Sequence, residues 1–136
     1  MQYSTRVALL YGHNHRGKVL HLVESIASEV IVFGVECVDE SLTDAVADCD
    51  LIVMETPGHL TEHHRQAIEW IREGSLAPIV VLIADKQAAD TVEIIRAGAD
   101  AVISLQQAND AIVAHCQALM RRWRTHPPWD QNRHKR

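Results

Sequence analysis

Asp50-Leu51-Ile52-Val53-Met54-Glu55-Thr56-Pro57-Gly58 (DLIVMETPG) is the stretch on which the reading of this 136-residue chain turns. Four apolar residues, Leu51 to Met54, follow Asp50 without a break and stop at a carboxylate, Glu55. Thr56, Pro57 and Gly58 then turn the chain out of an extended conformation. A short apolar run bounded in this way predicts a strand buried on both faces, with Glu55 at its C-terminal lip. In open α/β sheets that lip is where ligands and switches sit.

Outward from this strand, the flanking sequence repeats the same grammar. Arg6–Tyr11 (RVALLY) predicts a first strand, opening into Gly12-His13-Asn14-His15-Arg16-Gly17. A helix follows from about Lys18 to Ile26, with Val19, Leu22, Val23 and Ile26 at core spacing. Glu29–Val35 predicts the second strand. Asp39–Ala47 predicts a short helix with Leu42, Ala45 and Val46 inward and Asp39 or Ser41 as cap. After the third strand, Thr61 caps a helix to about Arg72, with His64 at its third position, Ala67, Ile68 and Ile71 inward and Gly74 ending it. Ile79–Ile83 is the fourth strand, Lys86–Arg96 a helix closed by Gly98, and Ala101–Ile103 a short fifth strand. The last helix starts near Asn109 or Asp110 and runs to about Trp123. Its apolar stripe is Ile112, Val113, Cys116, Leu119 and Met120. Strands alternating with helices and joined by right-handed crossovers give one parallel sheet covered on both faces, an α/β doubly wound domain.

Composition fits that fold. The length suits one domain with a core that needs no disulfide or structural metal. MQYSTR carries no apolar stretch of signal-peptide length and no run approaches a membrane span, so no membrane partner and a cytoplasmic location are expected. Cys37, Cys49 and Cys116 match no zinc or thioredoxin spacing and are expected as buried free thiols in a reducing compartment. The formal charge of -5 hides an asymmetry: residues 1–120 hold seven Lys and Arg against seventeen Asp and Glu, whereas the last sixteen hold six basic residues against Asp130 alone. An acidic body is a poor nucleic-acid surface, so direct DNA contact would need a domain outside this chain.

With element order and spacing in place, residues 5–123 resemble the receiver domain of two-component response regulators, the CheY-like family. Ala97-Gly98-Ala99-Asp100 resembles the family's AGADD before the fifth strand, DLIVMETPG its phospho-acceptor strand, and Pro78–Ala84 (PIVVLIA) its fourth strand. The resemblance implies a five-stranded, flavodoxin-like (βα)5 sheet in the order 2-1-3-4-5, with a receiver-like domain over 1–123 and a basic, proline-containing tail over 124–136. It also implies that the phospho-acceptor position falls on Glu55 and the magnesium-holding acidic pair on Tyr11 and Gly12. The switch hydroxyl falls on Ile83, the aromatic switch on Val102, the conserved lysine on Leu105 and the proline behind it on Gln106. Phosphoryl transfer needs a carboxylate nucleophile, a divalent cation and groups that collect charge on the equatorial oxygens. Those groups are missing together, and Glu places its carboxylate one methylene too far. The expectation is a degenerate receiver: no catalytic residues, no cofactor, no phosphorylation, and regulation of signalling or transcription through protein contacts.

Two other functions stay open. His13, His15, His59, His63 and His64 cluster in loops or helix starts after strands one and three, around Glu55. Imidazole and carboxylate suit transition metals, so His13 or His15, Glu55 and His59 or His63 are candidate ligands, and the same cluster is a candidate pH sensor. The third reading is an ordinary phosphorylated regulator that feeds a DNA-binding effector. For a partner or a homodimer, the resemblance points to the face of the fourth helix, fifth strand and fifth helix. Asp90, Glu93, Arg96, Arg121 and Arg122 carry its charge, and Trp123 and Trp129 are candidate anchors.

Overall fold

The apolar runs become strands buried from both sides. In the computed structural model, which describes residues 4–12, 16–84 and 90–125, β1 (Arg6–Tyr11), β2 (Glu29–Gly34), β3 (Leu51–Thr56), β4 (Ile79–Ile83) and β5 (Ala101–Ser104) form one sheet. Its order is β2-β1-β3-β4-β5, and every pairing is parallel. This is the doubly wound (βα)5 architecture expected from the sequence.

Alternate strand residues feed two separate cores. Ala8, Leu10, Ile52, Met54, Val81 and Ile83 point to one face, where α2 (Leu42–Ala45), α3 (Glu62–Gly74) and α4 (Thr91–Ala97) contribute Leu42, Ile68, Ile71 and Ile94. Val7, Leu9, Leu51, Val53, Val80 and Leu82 point to the other. There α1 (Arg16–Glu24) and α5 (Asn109–Thr125) supply Val19, Leu22, Val23, Ile112, Cys116 and Met120. No described helix is long and apolar enough to cross a membrane.

Several boundaries differ from the sequence expectation. Arg16 already opens α1, and β2 stops at Gly34 because Val35–Cys37 winds into a 3-10 turn. The expected Asp39–Ala47 helix shrinks to Leu42–Ala45. Asp39 accepts hydrogen bonds from the Ser41 backbone N–H (2.9 Å) and hydroxyl, which spends Asp39 on a turn rather than on the helix. β3 continues two residues past Met54, so Glu55 and Thr56 lie inside the strand, paired in register with Leu82 and Ile83. Residues 86–89 of the expected fourth helix lie outside the described residues; α4 begins at Thr91, capped by the Asp90 side chain on the Glu93 N–H at 2.9 Å. β5 gains Ser104, and α5 runs to Thr125, two residues beyond its expected end. Cys37 is exposed rather than buried, because the 3-10 turn that holds it lies at the sheet's rim. Cys49 and Cys116 are buried as expected, and burial pushes both thiols up to about 11.

The Ala97–Asp100 motif has a structural explanation. Gly98 adopts φ 131°, a conformation that disfavours any side chain, and caps α4 with its N–H on Ile94 and Ile95 carbonyls. Asp100 then accepts from the Ile79 N–H at the start of β4 and from Arg72, both at 2.8 Å. Arg72 also donates to the carbonyls of Ala77 (2.8 Å) and Gly98 (3.1 Å), tying the end of α3 to the starts of β4 and β5. Arg72→Met keeps the aliphatic stem and deletes these bonds, and is expected to cost about 2 kcal/mol in urea unfolding. Asp100→Asn retains an acceptor for Ile79 and is expected to cost about half as much. Equal, near-zero losses for both would show that the clamp does not hold the three elements together.

Candidate functional site

Glu55 anchors the C-terminal edge of the sheet. It is 2 % exposed, and its Oε1 accepts the Gly12 N–H at 3.1 Å across the β1–β3 boundary. The carboxylate expected at the lip of the sheet is thus an interior, hydrogen-bonded group, because β3 extends one residue past it. The Glu55 carbonyl is held as well, 3.1 Å from His64 Nε2.

His64 is 6 % exposed and stands at the third position of α3. A carbonyl can only accept, so the imidazole is the Nε2–H tautomer and Nδ1 is an acceptor. Nδ1 receives the Thr61 N–H at 3.1 Å and lies 2.7 Å from the Thr61 hydroxyl, whose oxygen accepts the His64 N–H at 3.3 Å. The result is a capping box with histidine in the place usually filled by Glu or Gln. Burial pushes the imidazole's pKa below its ordinary value. The bond to the Glu55 carbonyl opposes that shift, the neighbouring His59 and His63 add to it, and Glu36 opposes it. A neutral imidazole here satisfies its neighbours, and a protonated one would set Nδ1–H against the Thr61 N–H.

A cavity of about 360 Å³ opens beside these groups, between the ends of β1, β2 and β3 and the start of α3. Tyr11, Glu36, Cys37, Glu55, Thr61 and His64 lie along its walls. The remaining family positions contribute no reactive groups. Ile83 and Leu105 are buried and apolar, and Val102 packs partly buried against the α2–α4 core. Gln106 is exposed. An ammonium does reach this end of β5, but it comes from α1: Lys18 Nζ donates to the Leu105 carbonyl at 2.8 Å.

Of the candidate metal ligands, His13 and His15 lie outside the described residues. His59 and His63 are exposed, whereas Glu55 is turned inward to Gly12. Among the described residues, no group of three or more His, Cys, Asp or Glu is placed to hold a metal ion. Sequence reasoning placed His64 on its helix but missed its double role as cap and strand clasp. It also missed Gly34, Glu36 and Cys37 as cavity walls, and Lys18. The spacing Thr61-x-x-His64 was the available signal for the cap. On the candidate interaction face, Asp90 is the α4 cap and Glu93 pairs with Arg65 inside the chain. Arg96, Arg121 and Arg122 are exposed. Trp123 is half-buried against the α2–α4 core, and Trp129 lies outside the described residues.

No protein-family model matches the sequence, and comparison with curated proteins gives no match. Solved structures do resemble the fold. A protein of Burkholderia pseudomallei K96243, provisionally named as pilus assembly-related, superimposes with a TM-score of 0.68 at 14% identity, over 89% of this chain and 94% of its own. The signal receiver domain of a signal transduction histidine kinase from Syntrophus aciditrophicus gives 0.63 at 16% identity, over 92% and 96%. A CheY-like protein (tadZ) from Pseudomonas aeruginosa PAO1 gives 0.63 at 17% identity, over 85% and 99%. With the strand order, the parallel register and these superpositions together, the fold of this chain is that of CheY-like receiver domains.

Proposed function

We propose that this chain is a pseudo-receiver, a non-catalytic module that regulates a protein partner without being phosphorylated. The observation that carries this reading is the state of Glu55. The carboxyl at the acceptor position is 2 % exposed, bonded to the Gly12 N–H, and flanked by Tyr11 and Gly12 where an acidic pair would have to hold a cation. A nucleophile needs an in-line approach and charge-collecting partners; the carboxyl here is covered, and apolar Ile83 and Leu105 stand where the resemblance puts the hydroxyl and the lysine. Receiver domains of signalling proteins share the fold, and one neighbour's name refers to pilus assembly. The receiver-domain neighbours support a regulatory class.

Incubation of the full chain with acetyl phosphate and Mg²⁺, followed by intact-mass measurement, is expected to show the unmodified mass alone. A stoichiometric phosphate adduct that disappears in Glu55→Gln would overturn the reading.

The partner-binding surface we favour is that of α4, β5 and α5. Val92 and Ile95 of α4 are exposed apolar side chains, 58% and 42% accessible, and Arg96 on the same helix and Arg121 and Arg122 on α5 are exposed as well. Apolar anchors rimmed by charge suit a second protein or a second copy of the chain. Sedimentation across a concentration series is expected to show self-association that weakens in Ile95→Glu. A strict monomer at high micromolar concentration would leave a different protein as the occupant.

A further inference from the structure

We propose that the outer edge of β2 is a docking edge for an extended, basic segment of a partner protein, which joins the sheet as a sixth strand. The proposal does not rest on the α4, β5 and α5 surface, because β2 and β5 are the opposite edges of the sheet.

The order of the strands leaves one side of β2 without a neighbour. β2 pairs with β1 alone, in an unbroken register from Arg6 and Glu29 to Tyr11 and Gly34. The Glu29 N–H donates to the Thr5 carbonyl at 3.1 Å, so Glu29, Ile31 and Phe33 turn their backbone groups toward β1. Val30 and Val32 alternate with them and turn theirs outward. Among the described residues, no loop or side chain caps those outward groups. Proteins normally blunt such an edge with Lys, Pro, a bulge or a covering element. Val30-Ile31-Val32-Phe33 has none of the first three, and its cover is partial: every residue from Val30 to Gly34 is half-buried, whereas β3 and β4 are buried throughout. The single turn of α2 leans on the last turn of α3 instead, with the Thr43 backbone against Gly74 and the Thr43 hydroxyl on the Trp70 carbonyl. Ile31 and Phe33 therefore stay at the margin of their core. The opposite edge, β5, is shorter, and its Ile103 and Ser104 are buried.

Charge selects the strand that fits. From Val19 to His64 the chain holds ten Asp and Glu and no Lys or Arg, and β2 lies within that stretch. Glu24 precedes β2, Asp39, Glu40 and Asp44 follow it, and all four are exposed. Asp39 accepts from Ser41, a neutral donor that leaves the negative charge in place. The one cation on β1, Arg6, is already engaged by Glu29 at 3.4 Å and Asp48 at 3.9 Å. A second copy of β2 laid alongside would set this acidic margin against itself. Lys or Arg flanking an apolar strand would meet opposite charge there. In strand addition the backbone ladder supplies the affinity and the flanking side chains choose the partner.

The probe is a capped peptide of about eight residues, with Val and Thr at its centre and paired Lys at both ends. Titrated into the ¹⁵N-labelled full chain, it is expected to shift the amide resonances of Val30 and Val32 saturably and to slow hydrogen exchange at those amides. Ile31 and Phe33, bonded to β1, exchange slowly with or without it. The same peptide with Glu for Lys is expected to bind at least about tenfold more weakly. The Lys peptide N-methylated at alternate central residues keeps its charge but loses the ladder donors, and is expected not to bind; it tests the ladder without altering the protein. Val32→Pro removes an outward N–H and no bond to β1, and is expected to abolish binding. Glu24→Lys with Glu40→Lys is expected to weaken binding about fivefold. The proposal is overturned if exchange at Val30 and Val32 is already slow in the free chain, because another part of the chain or a second copy then holds the edge. It is also overturned if the Lys peptide does not bind, or if the N-methylated or Glu peptide binds as tightly. Shifts confined to α4 and α5 would overturn it while supporting the other surface, so the two readings fail separately.

Discussion

Gly74→Ala is expected to lower the unfolding free energy by about 2–4 kcal/mol, seen as a lower urea midpoint at unchanged slope. Gly74 is the last residue of α3, and a Cβ there would stand 1.9 Å from the Thr43 carbonyl oxygen and 2.7 Å from its carbon. Those atoms are backbone, so they cannot rotate away as a side-chain tip can. The whole of α2 would have to retreat, and the Thr43 hydroxyl, which donates to the Trp70 carbonyl at 3.0 Å, would leave with it. Leu42 would lose its buried place in the same movement. Gly17→Ala is the matched control. It lies in α1 with nothing within 4 Å of an added Cβ, and there the helix preference for alanine predicts a gain of about 0.5–1 kcal/mol. If both substitutions stabilise, α2 does not pack on the last turn of α3.

Gly74 also shows where reading a sequence stops. A glycine after an amphipathic run signals a helix end, and the run does end there; the reason for the glycine is a neighbouring backbone, 31 residues earlier in the chain, that no local pattern reveals. The five strands were legible because each is an apolar run closed by turn residues, and burial on both faces leaves no alternation to misread. Glu55 broke that pattern. A carboxylate reads as the end of a strand, yet here the Gly12 N–H supplies a hydrogen bond that offsets the cost of burying it, and β3 continues to Thr56. That compensation depends on register between β1 and β3, which is fixed only by tertiary pairing. The same limit hid Lys18, whose partner is the carbonyl of Leu105, 87 residues later in the chain.

The candidate site was legible mainly as a set of missing groups. Tyr11, Gly12, Ile83 and Leu105 stand where the resemblance puts the acidic pair, the hydroxyl and the lysine, and none of them carries such a group. The cavity beside Glu55 needed coordinates, because it is made by Gly12 and Gly34 at the ends of two adjacent strands and by a 3-10 turn of which only Val35 was expected, and that as strand. A histidine cluster around Glu55 was visible in the sequence as well, but the candidate ligands read from it were His13, His15, His59 and His63, not His64. The structure singles out His64, because it alone among the described members is buried and bonded at both ring nitrogens.

His64 is therefore expected to give the domain an acid sensitivity that the other histidines do not. Its folded-state pKa lies below the ordinary value of 6.5, mainly through burial. Between the unfolded value and the lowered folded value, the unfolded chain binds the proton and the folded chain does not. Stability from this group is then fully present above about pH 6.5 and is lost as pH falls through the interval down to the folded pKa, below which the loss levels off. The structural event is local: protonation puts a hydrogen on Nδ1, opposes the Thr61 N–H and frees the α3 cap, while the exposed His59 and His63 add like charge nearby. His64→Gln separates the two contributions, because glutamine can keep the reciprocal cap on Thr61 but has no proton to gain. It is expected to cost about 1–2 kcal/mol at pH 8, where only the bond to the Glu55 carbonyl and some packing are lost. The difference between wild type and variant should then shrink as the pH is lowered from 7 to 5. Urea unfolding at a series of pH values measures it, and parallel curves for the two proteins would show that His64 does not titrate with folding.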